Sequence, residues 1–184
     1  EGFANTGENF KYSSMIGFIQ NNDLKTDIDY QAVTKVMDAS CFIDYQLFQI
    51  YLNNRDWPGN NIKFWNTNSL HSKYRWLLYD TEFGMNLYGD TEYTENGIQF
   101  AAQSNGPGWP NPPWSTLLLR KMLTNEGFKI QFVNRMADMM NMYLLPDVMN
   151  SKLDSIVALV SSEMPDHQRL WGRSFAQWQD LSLI

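Results

Sequence analysis

Asp56 and Asn61 stand in a D-x-x-x-x-N spacing within Asn54-Arg55-Asp56-Trp57-Pro58-Gly59-Asn60-Asn61. A second carboxylate, Asp80, opens a D-x-x-F-G turn in Leu78-Tyr79-Asp80-Thr81-Glu82-Phe83-Gly84. One carboxylate to orient a hydroxyl, plus an amide oxygen and another carboxylate for magnesium, is the side-chain set that phosphoryl transfer requires. That chemistry asks for positioning and charge neutralisation rather than covalent help. Magnesium takes hard oxygen ligands, commonly one or two carboxylates plus substrate phosphates. Asp80 can supply the carboxylate and Asn61 a second oxygen. Asp56 can accept a hydrogen bond from the attacking hydroxyl and take its proton late. Each half of the pattern is weak alone, because Asp and Asn are common in turns. Their order and separation, with room for a two-strand hairpin between them, carry the signal.

The surrounding pattern gives these residues a base. Residues 41–52, capped by Ser40, form an expected helix that is apolar around most of its circumference and therefore buried. It delivers the loop at 53–61 from a rigid element. Trp57-Pro58-Gly59-Asn60 is a turn signal. Residues 62–65 and 74–79 read as short strands, rich in aromatic and β-branched side chains, joined by the polar link 66–73. Upstream, helices are expected over 9–19 and, with Asp29 as N-cap, over 30–37. Residues 85–114 hold eight Gly and Pro residues and read as a long irregular, functional loop. Trp109 and Trp114, set among Pro110, Pro112 and Pro113, are expected to pin it to the core. Four helices should follow: over 115–123, over 126–144, from Pro146 with Met149, Leu153, Ile156, Val157 and Val160, and from Pro165 with Leu170, Phe175 and Trp178. The methionines around position 140 read as packing filler. The order gives a mostly α fold with a small β-hairpin (α+β), in one domain over residues 1–184, with no β-α-β alternation for a parallel sheet.

Composition agrees with a folded domain. The 184 residues are 43% hydrophobic and 18% charged, so a sizeable core can form and disorder is not expected. The net charge of −6 argues against broad nucleic-acid binding, and no apolar run is long enough to span a bilayer. Cys41, the single cysteine, reads as a small core residue and leaves no intrachain disulfide. The chain opens on Glu1-Gly2-Phe3 without an initiator methionine, as expected of a processed protein or an excised piece.

The middle of the chain resembles the CotH-like family, the atypical kinases named after spore coat protein H. The resemblance runs over residues 29–84 and is carried by Phe42-Ile43-Asp44-Tyr45 and by the two motif phrases above. Residues 117–128 and 167–171 are also similar to that family. The resemblance implies a protein-kinase-like fold, seen here as its C-lobe, and ATP-dependent phosphorylation of serine or threonine on a protein substrate. By motif position it implies Asp56 as the catalytic aspartate, Asp80 and Asn61 as the magnesium ligands and contacts for ATP, and a secreted or cell-surface setting.

Three departures stand beside it. Asn54 occupies the place of a histidine in ordinary kinases. The family's metal turn usually reads Asp-x-Asp, and here Glu82 takes the second place, as a possible further metal ligand with one more methylene. The nucleotide-gripping front half is missing from the sequence. Gly106 and Gly108 begin a G-x-G-x-x-G that fails at Asn111, and Lys11, Lys25 and Lys35 lie in helical or turn contexts. A kinase in the full-length protein, inactive as this piece, is therefore the expected state.

Plainer roles exist for each residue. Asp56 can organise a turn before Pro and Gly, Asp80 can end a strand, and Asn60 can do the work of Asn61. Arg55 more often pairs with an acid than touches phosphate, and His71 and His167 read as an exposed and a structural histidine. Two other functions stay open. One is a non-catalytic surface or interaction module that keeps the fold. The other is a glycan-acting domain using Asp56 with Asp80 or Glu82 as an acid/base pair. Substrate, oligomeric state and compartment are not encoded in any residue pattern.

Overall fold

The computed structural model describes residues 7–67, 69–85, 94–104, 106 and 109–172. Helix α1, Phe10–Asn21, buries Met15 and Ile19, and its last carbonyls are met by the side-chain amides of Asn21 and Asn22. Helix α2, Asp27–Thr34, starts earlier than the sequence predicts. Its N-cap is Thr26, whose hydroxyl accepts the Asp29 N–H at 3.2 Å and donates to the Asp29 carboxylate at 2.9 Å. Asp29 is thus the third residue of the helix, with its N–H and its carboxylate both on the Thr26 hydroxyl, rather than the cap.

Helix α3, Ala39–Tyr51, is capped by Asp38, which accepts the Cys41 N–H at 3.0 Å. Ser40, the expected cap, lies inside the first turn; an Asp two residues earlier reaches the free N–H first. As its composition predicts, α3 is buried over most of its surface, including Phe42, Ile43, Leu47 and Ile50. Each such side chain contributes about 1.5–3 kcal/mol of burial. Cys41 is only half-buried, with its thiol near the Trp76 carbonyl.

The predicted hairpin forms, with shorter strands. Strands β1, Lys63–Trp65, and β2, Arg75–Leu77, pair antiparallel with Phe64 opposite Trp76. These two face the core: their rings lie 5.9 Å apart, and Trp76 meets Phe42 of α3 at 4.6 Å. Flanking Lys63, Trp65, Arg75 and Leu77 point outward, as a period of two requires. Tyr74 ties the hairpin to the α2–α3 connection, donating to the Val36 carbonyl and accepting from the Asp38 N–H. Arg75 adds an ion pair to Asp38 at 3.0 Å. Burial pushes the Asp38 carboxyl up, but the Cys41 N–H and Arg75 outweigh it and hold the group below its usual range.

Within the segment expected to be irregular, α4, Gly97–Ala102, is capped by Asn96 and presses its first residue onto Ile50 of α3. Helices α5, Leu117–Met122, and α6, Glu126–Asp138, close the core with Leu119, Met122, Phe128 and Phe132. The expected single helix to residue 144 instead changes pitch, and Met139–Tyr143 form a π-helical turn. Met139 is buried while Met140 and Met142 are exposed, so only part of the methionine cluster packs. Arg135 of α6 grips Asp44 of α3 through both carboxylate oxygens, at 2.6 and 3.3 Å. Helices α7, Pro146–Val160, and α8, Met164–Trp171, contain no buried residue. Both carry proline in the first turn, and α8 ends on Gly172 at φ 72°. Phe175 and Trp178 lie outside the described residues. No helix among the described residues is long and apolar enough to cross a membrane.

Candidate functional site

The loop at 53–61 leaves the C-terminus of α3 and is organised by Asn54. This side chain is 2% exposed. It donates to Gln49 Oε1 at 2.9 Å and accepts the Asp56 N–H at 3.1 Å, while its backbone N–H reaches the Gln49 carbonyl. An amide can serve as donor and acceptor at once, so Asn54 joins the buried helix to the loop as one rigid piece. Trp57 and Pro58 are buried behind it.

At the far side, the Gly59 N–H donates to the Pro110 carbonyl at 2.5 Å. A Cβ at Gly59 would collide with that carbonyl and come within 2.7 Å of the Pro112 ring, so a glycine is required there. The long segment is therefore held by backbone and by Asn111, which is fully buried between the Phe100 carbonyl and the Ser115 hydroxyl. Trp109 and Trp114, expected to pin it, are exposed. Their neighbouring prolines fix the backbone against the loop, which leaves both rings at the surface.

Asp56 is half-buried. Its Oδ2 accepts the Asn61 amide at 2.5 Å and the Asn60 amide at 2.9 Å. Both candidate asparagines thus bind the same oxygen; Asn61 is half-buried and Asn60 exposed. No described residue bonds Oδ1 of Asp56, and an Asn61 amide that turns its nitrogen to Asp56 turns its oxygen away from it.

The D-x-x-F-G turn docks directly on this loop. The Arg55 N–H donates to the Phe83 carbonyl at 2.9 Å, and the Met85 N–H to the Leu52 carbonyl at 2.8 Å. A Cβ on Gly84 would lie 2.9 Å from the Leu52 carbonyl and 3.0 Å from its Cβ, so the contact is closed by glycine. Asp80 and Glu82 are exposed and make no hydrogen bond or ion pair among the described residues. Arg55 forms an ion pair with Glu95, the structural role expected of it.

Tyr79 immediately precedes Asp80. Its phenol is raised above its usual range, first by burial, then by Asp80 and by Asp56. Lys63 holds its ammonium 4.1 Å above the Tyr79 ring. Neither Lys63 nor Tyr79 stood out in the sequence. The available signal was position: one follows Asn61 by two residues and the other immediately precedes Asp80.

The backbone marks the same segments. The non-glycine residues at positive φ among those described are Asn53 (48°), Asn61 (52°), Asp80 (56°) and Met85 (57°). They bracket the loop and the turn. Asn and Asp accept this conformation readily, whereas Met85 costs on the order of 1–2 kcal/mol. Such strain concentrates where side chains are aimed for function.

No three His, Cys, Asp or Glu side chains converge as a metal cluster among the described residues. The donors present are unpaired carboxylates on the turn and the Asn61 amide, a sparse set of hard oxygens that suits an ion also held by phosphates.

A family model described as CotH kinase protein matches residues 3–182, nearly the whole chain. The chain belongs to the CotH kinase family. No curated protein and no solved structure matches it.

Proposed function

We propose that this member of the CotH kinase family carries the catalytic and metal-binding half of a phosphoryl-transfer site, in one C-lobe-like domain over residues 1–184. The observation that supports it is the docking of the D-x-x-F-G turn onto the D-x-x-x-x-N loop through Arg55 N–H to Phe83 C=O and Met85 N–H to Leu52 C=O. The family suggests magnesium and ATP, and the donor set fits them.

In this reading the acceptor is a serine or threonine hydroxyl of a protein. Asp56, clamped through Oδ2 by Asn60 and Asn61, offers Oδ1 to that hydroxyl, fixes its line of attack and receives its proton. The hydroxyl oxygen bonds to the γ-phosphorus as the bridge to the β-phosphate breaks, and ADP leaves. Asp80 and the Asn61 oxygen hold magnesium, with Glu82 as a longer carboxylate on the same turn. The ion supplies neutralisation of the phosphate oxygens. Lys63 brings a positive charge beside residue 79 for the same purpose.

Glu82 in the family's second Asp place favours a second reading: an interaction module that keeps the fold without catalysis. One comparison separates them. Titration of Mg-ATP against the full-length protein and its Asp80→Ala variant should show magnesium-dependent binding that the variant loses. Asp56→Asn should retain binding while transfer to a protein acceptor falls on the order of 100-fold or more. Equal binding by protein and Asp80→Ala would leave the interaction module standing.

A further inference from the structure

A cavity of about 610 Å³ opens between α1, α3, the loop at 57–62 and the start of α5. That is the size of clefts that enclose ligands. Tyr12 and Phe64 stack at 4.2 Å along one wall, and Trp114 stands exposed at the rim. Ile62 and Leu117 add half-buried aliphatic surface. None of the lining residues is charged.

The α1 wall is one helix face, made by Tyr12, Ser13, Ile16, Gly17 and Gln20. Gly17 lies in the middle of it, inside a helix, where glycine is unfavourable. Gly59, the other lining glycine, is demanded by packing, because a Cβ would strike the Pro110 carbonyl. Gly17 is not. Beyond its own helix, a Cβ there would meet nothing within 4 Å. Its backbone is helical, so no special conformation asks for glycine either. What the missing side chain does is leave the cavity open along α1.

The cavity borders one part of the candidate site and not the other. Asn60 and Asn61 belong to its wall, and their amides bond Oδ2 of Asp56 at 2.9 and 2.5 Å. No residue of the turn at 79–85, which the reading above gives to magnesium, lines it. The space therefore adjoins the carboxylate that receives the acceptor hydroxyl, away from the turn that would hold the phosphates' ion. An occupant on this side arrives with the acceptor rather than with the nucleotide.

We propose that the cavity is a specificity subsite for the acceptor protein, taking a large uncharged aromatic side chain that lies within a few residues of the serine or threonine to be phosphorylated. The inference rests on the phosphoryl-transfer reading. An aromatic side chain suits walls that offer ring faces and edges. Lysine, arginine or a carboxylate is excluded, since no wall residue compensates a charge drawn out of water. Ser13 and Gln20, exposed at the mouth, are placed to bond the backbone of the incoming peptide. Selection works as much by refusing charge as by attracting rings.

The test uses fluorescein-labelled glycine-rich peptides with a central serine and one variable residue, Trp, Gly, Lys or Glu, moved through the positions on either side. Binding to the full-length protein is followed by fluorescence anisotropy. At its best position the Trp peptide should bind about tenfold tighter than the Gly peptide, the effect of burying one large apolar side chain. The Lys and Glu peptides should bind no better than Gly. Gly17→Leu adds a good helix former where nothing obstructs it. It should erase the Trp preference and leave Mg-ATP binding unchanged. Ile16→Trp fills the same space from the next residue and serves if Gly17→Leu disturbs α1. No Trp preference at any position, a preference for Lys or Glu, or a Trp preference that survives both variants overturns the proposal. So does displacement of the Trp peptide by Mg-ATP, which would assign the cavity to the nucleotide. Each of those outcomes leaves the phosphoryl-transfer reading intact. A Trp preference in a protein that binds no Mg-ATP overturns that reading, and the acceptor role with it.

Discussion

The segment from α3 through the turn at 80–85 and the pair α7–α8 are opposite kinds of structure built from similar sequence signals. Both show apolar residues at helical spacing, and both form helices where periodicity puts them. Helix α3 then spends its apolar surface on Trp76, Phe128 and Trp57 and carries a loop fixed by buried amides. Helix α7 buries none of its residues: Met149 packs only partly against the core, Leu153, Val157 and Val160 are half-buried, and Leu159 stands 80% exposed, as do Leu170 and Trp171 of α8 at 68% and 72%. Periodicity specifies that a helix has a face. It does not specify a partner for that face. The site sits where local pattern and long-range packing agree.

The sharpest way to break this contrast is a pair of truncations. Phe128→Ala, at a fully buried position, should cost about 3–5 kcal/mol in chemical denaturation. Leu159→Ser on α7 should stay within about 0.5 kcal/mol. Similar losses at both positions would mean that α7 is packed as tightly as the core.

A smaller effect tests how the loop is held. Asn54→Ala leaves Gln49 Oε1 and the Asp56 N–H without their partner and should cost about 1–3 kcal/mol. Phosphoryl transfer should fall with it, if Asp56 acts as proposed. A variant as stable and active as the parent would remove Asn54 from its supporting role.

Next comes pH. The Asp38 carboxyl is depressed from 3.8 in the folded protein. It therefore adds stability that is present above its unfolded value and is lost as pH falls through the lower folded one. Asp38→Asn should keep a helix cap and flatten the loss of unfolding free energy below pH 3.8; parallel acid profiles would count against the Arg75 and Cys41 contacts as its cause. The smallest effect is expected at Asp44 and Arg135. Their side chains are 47% and 39% exposed, so a double-mutant cycle should return only about 0.2–1 kcal/mol despite two-point geometry.

Much of this was legible in the residues. The buried α3, the hairpin and the position of the turn after it follow from runs of apolar and aromatic side chains. Helix starts were displaced by two or three residues because Thr26, Asp29, Asp38 and Ser40 are all good caps. The choice among them depends on which oxygen meets a free N–H once the chain has turned. The support of the loop was less visible. Asn54 works through Gln49, and that pairing needs the end of α3 to be closed and buried. The exposure of Trp109 and Trp114 was hidden too, since nothing local says that Gly59 and Asn111 take the contacts their rings were expected to make. The roles of Asp56, Asn61, Asp80 and Glu82 rest on motif and geometry together, and the titrations above decide them.

The clip between the loop and the turn consists of main-chain groups, Arg55 N–H to Phe83 C=O and Met85 N–H to Leu52 C=O. Side-chain identity at 55 and 83 is then free to drift without undocking the turn. Proline at 55 or 85 is the exception, since it deletes a donor. Gly84 is another, for want of space. A library of substitutions across both segments should therefore show wide tolerance at the clip's own residues and sharp intolerance to one residue type, a signature opposite to that of a contact made by side chains.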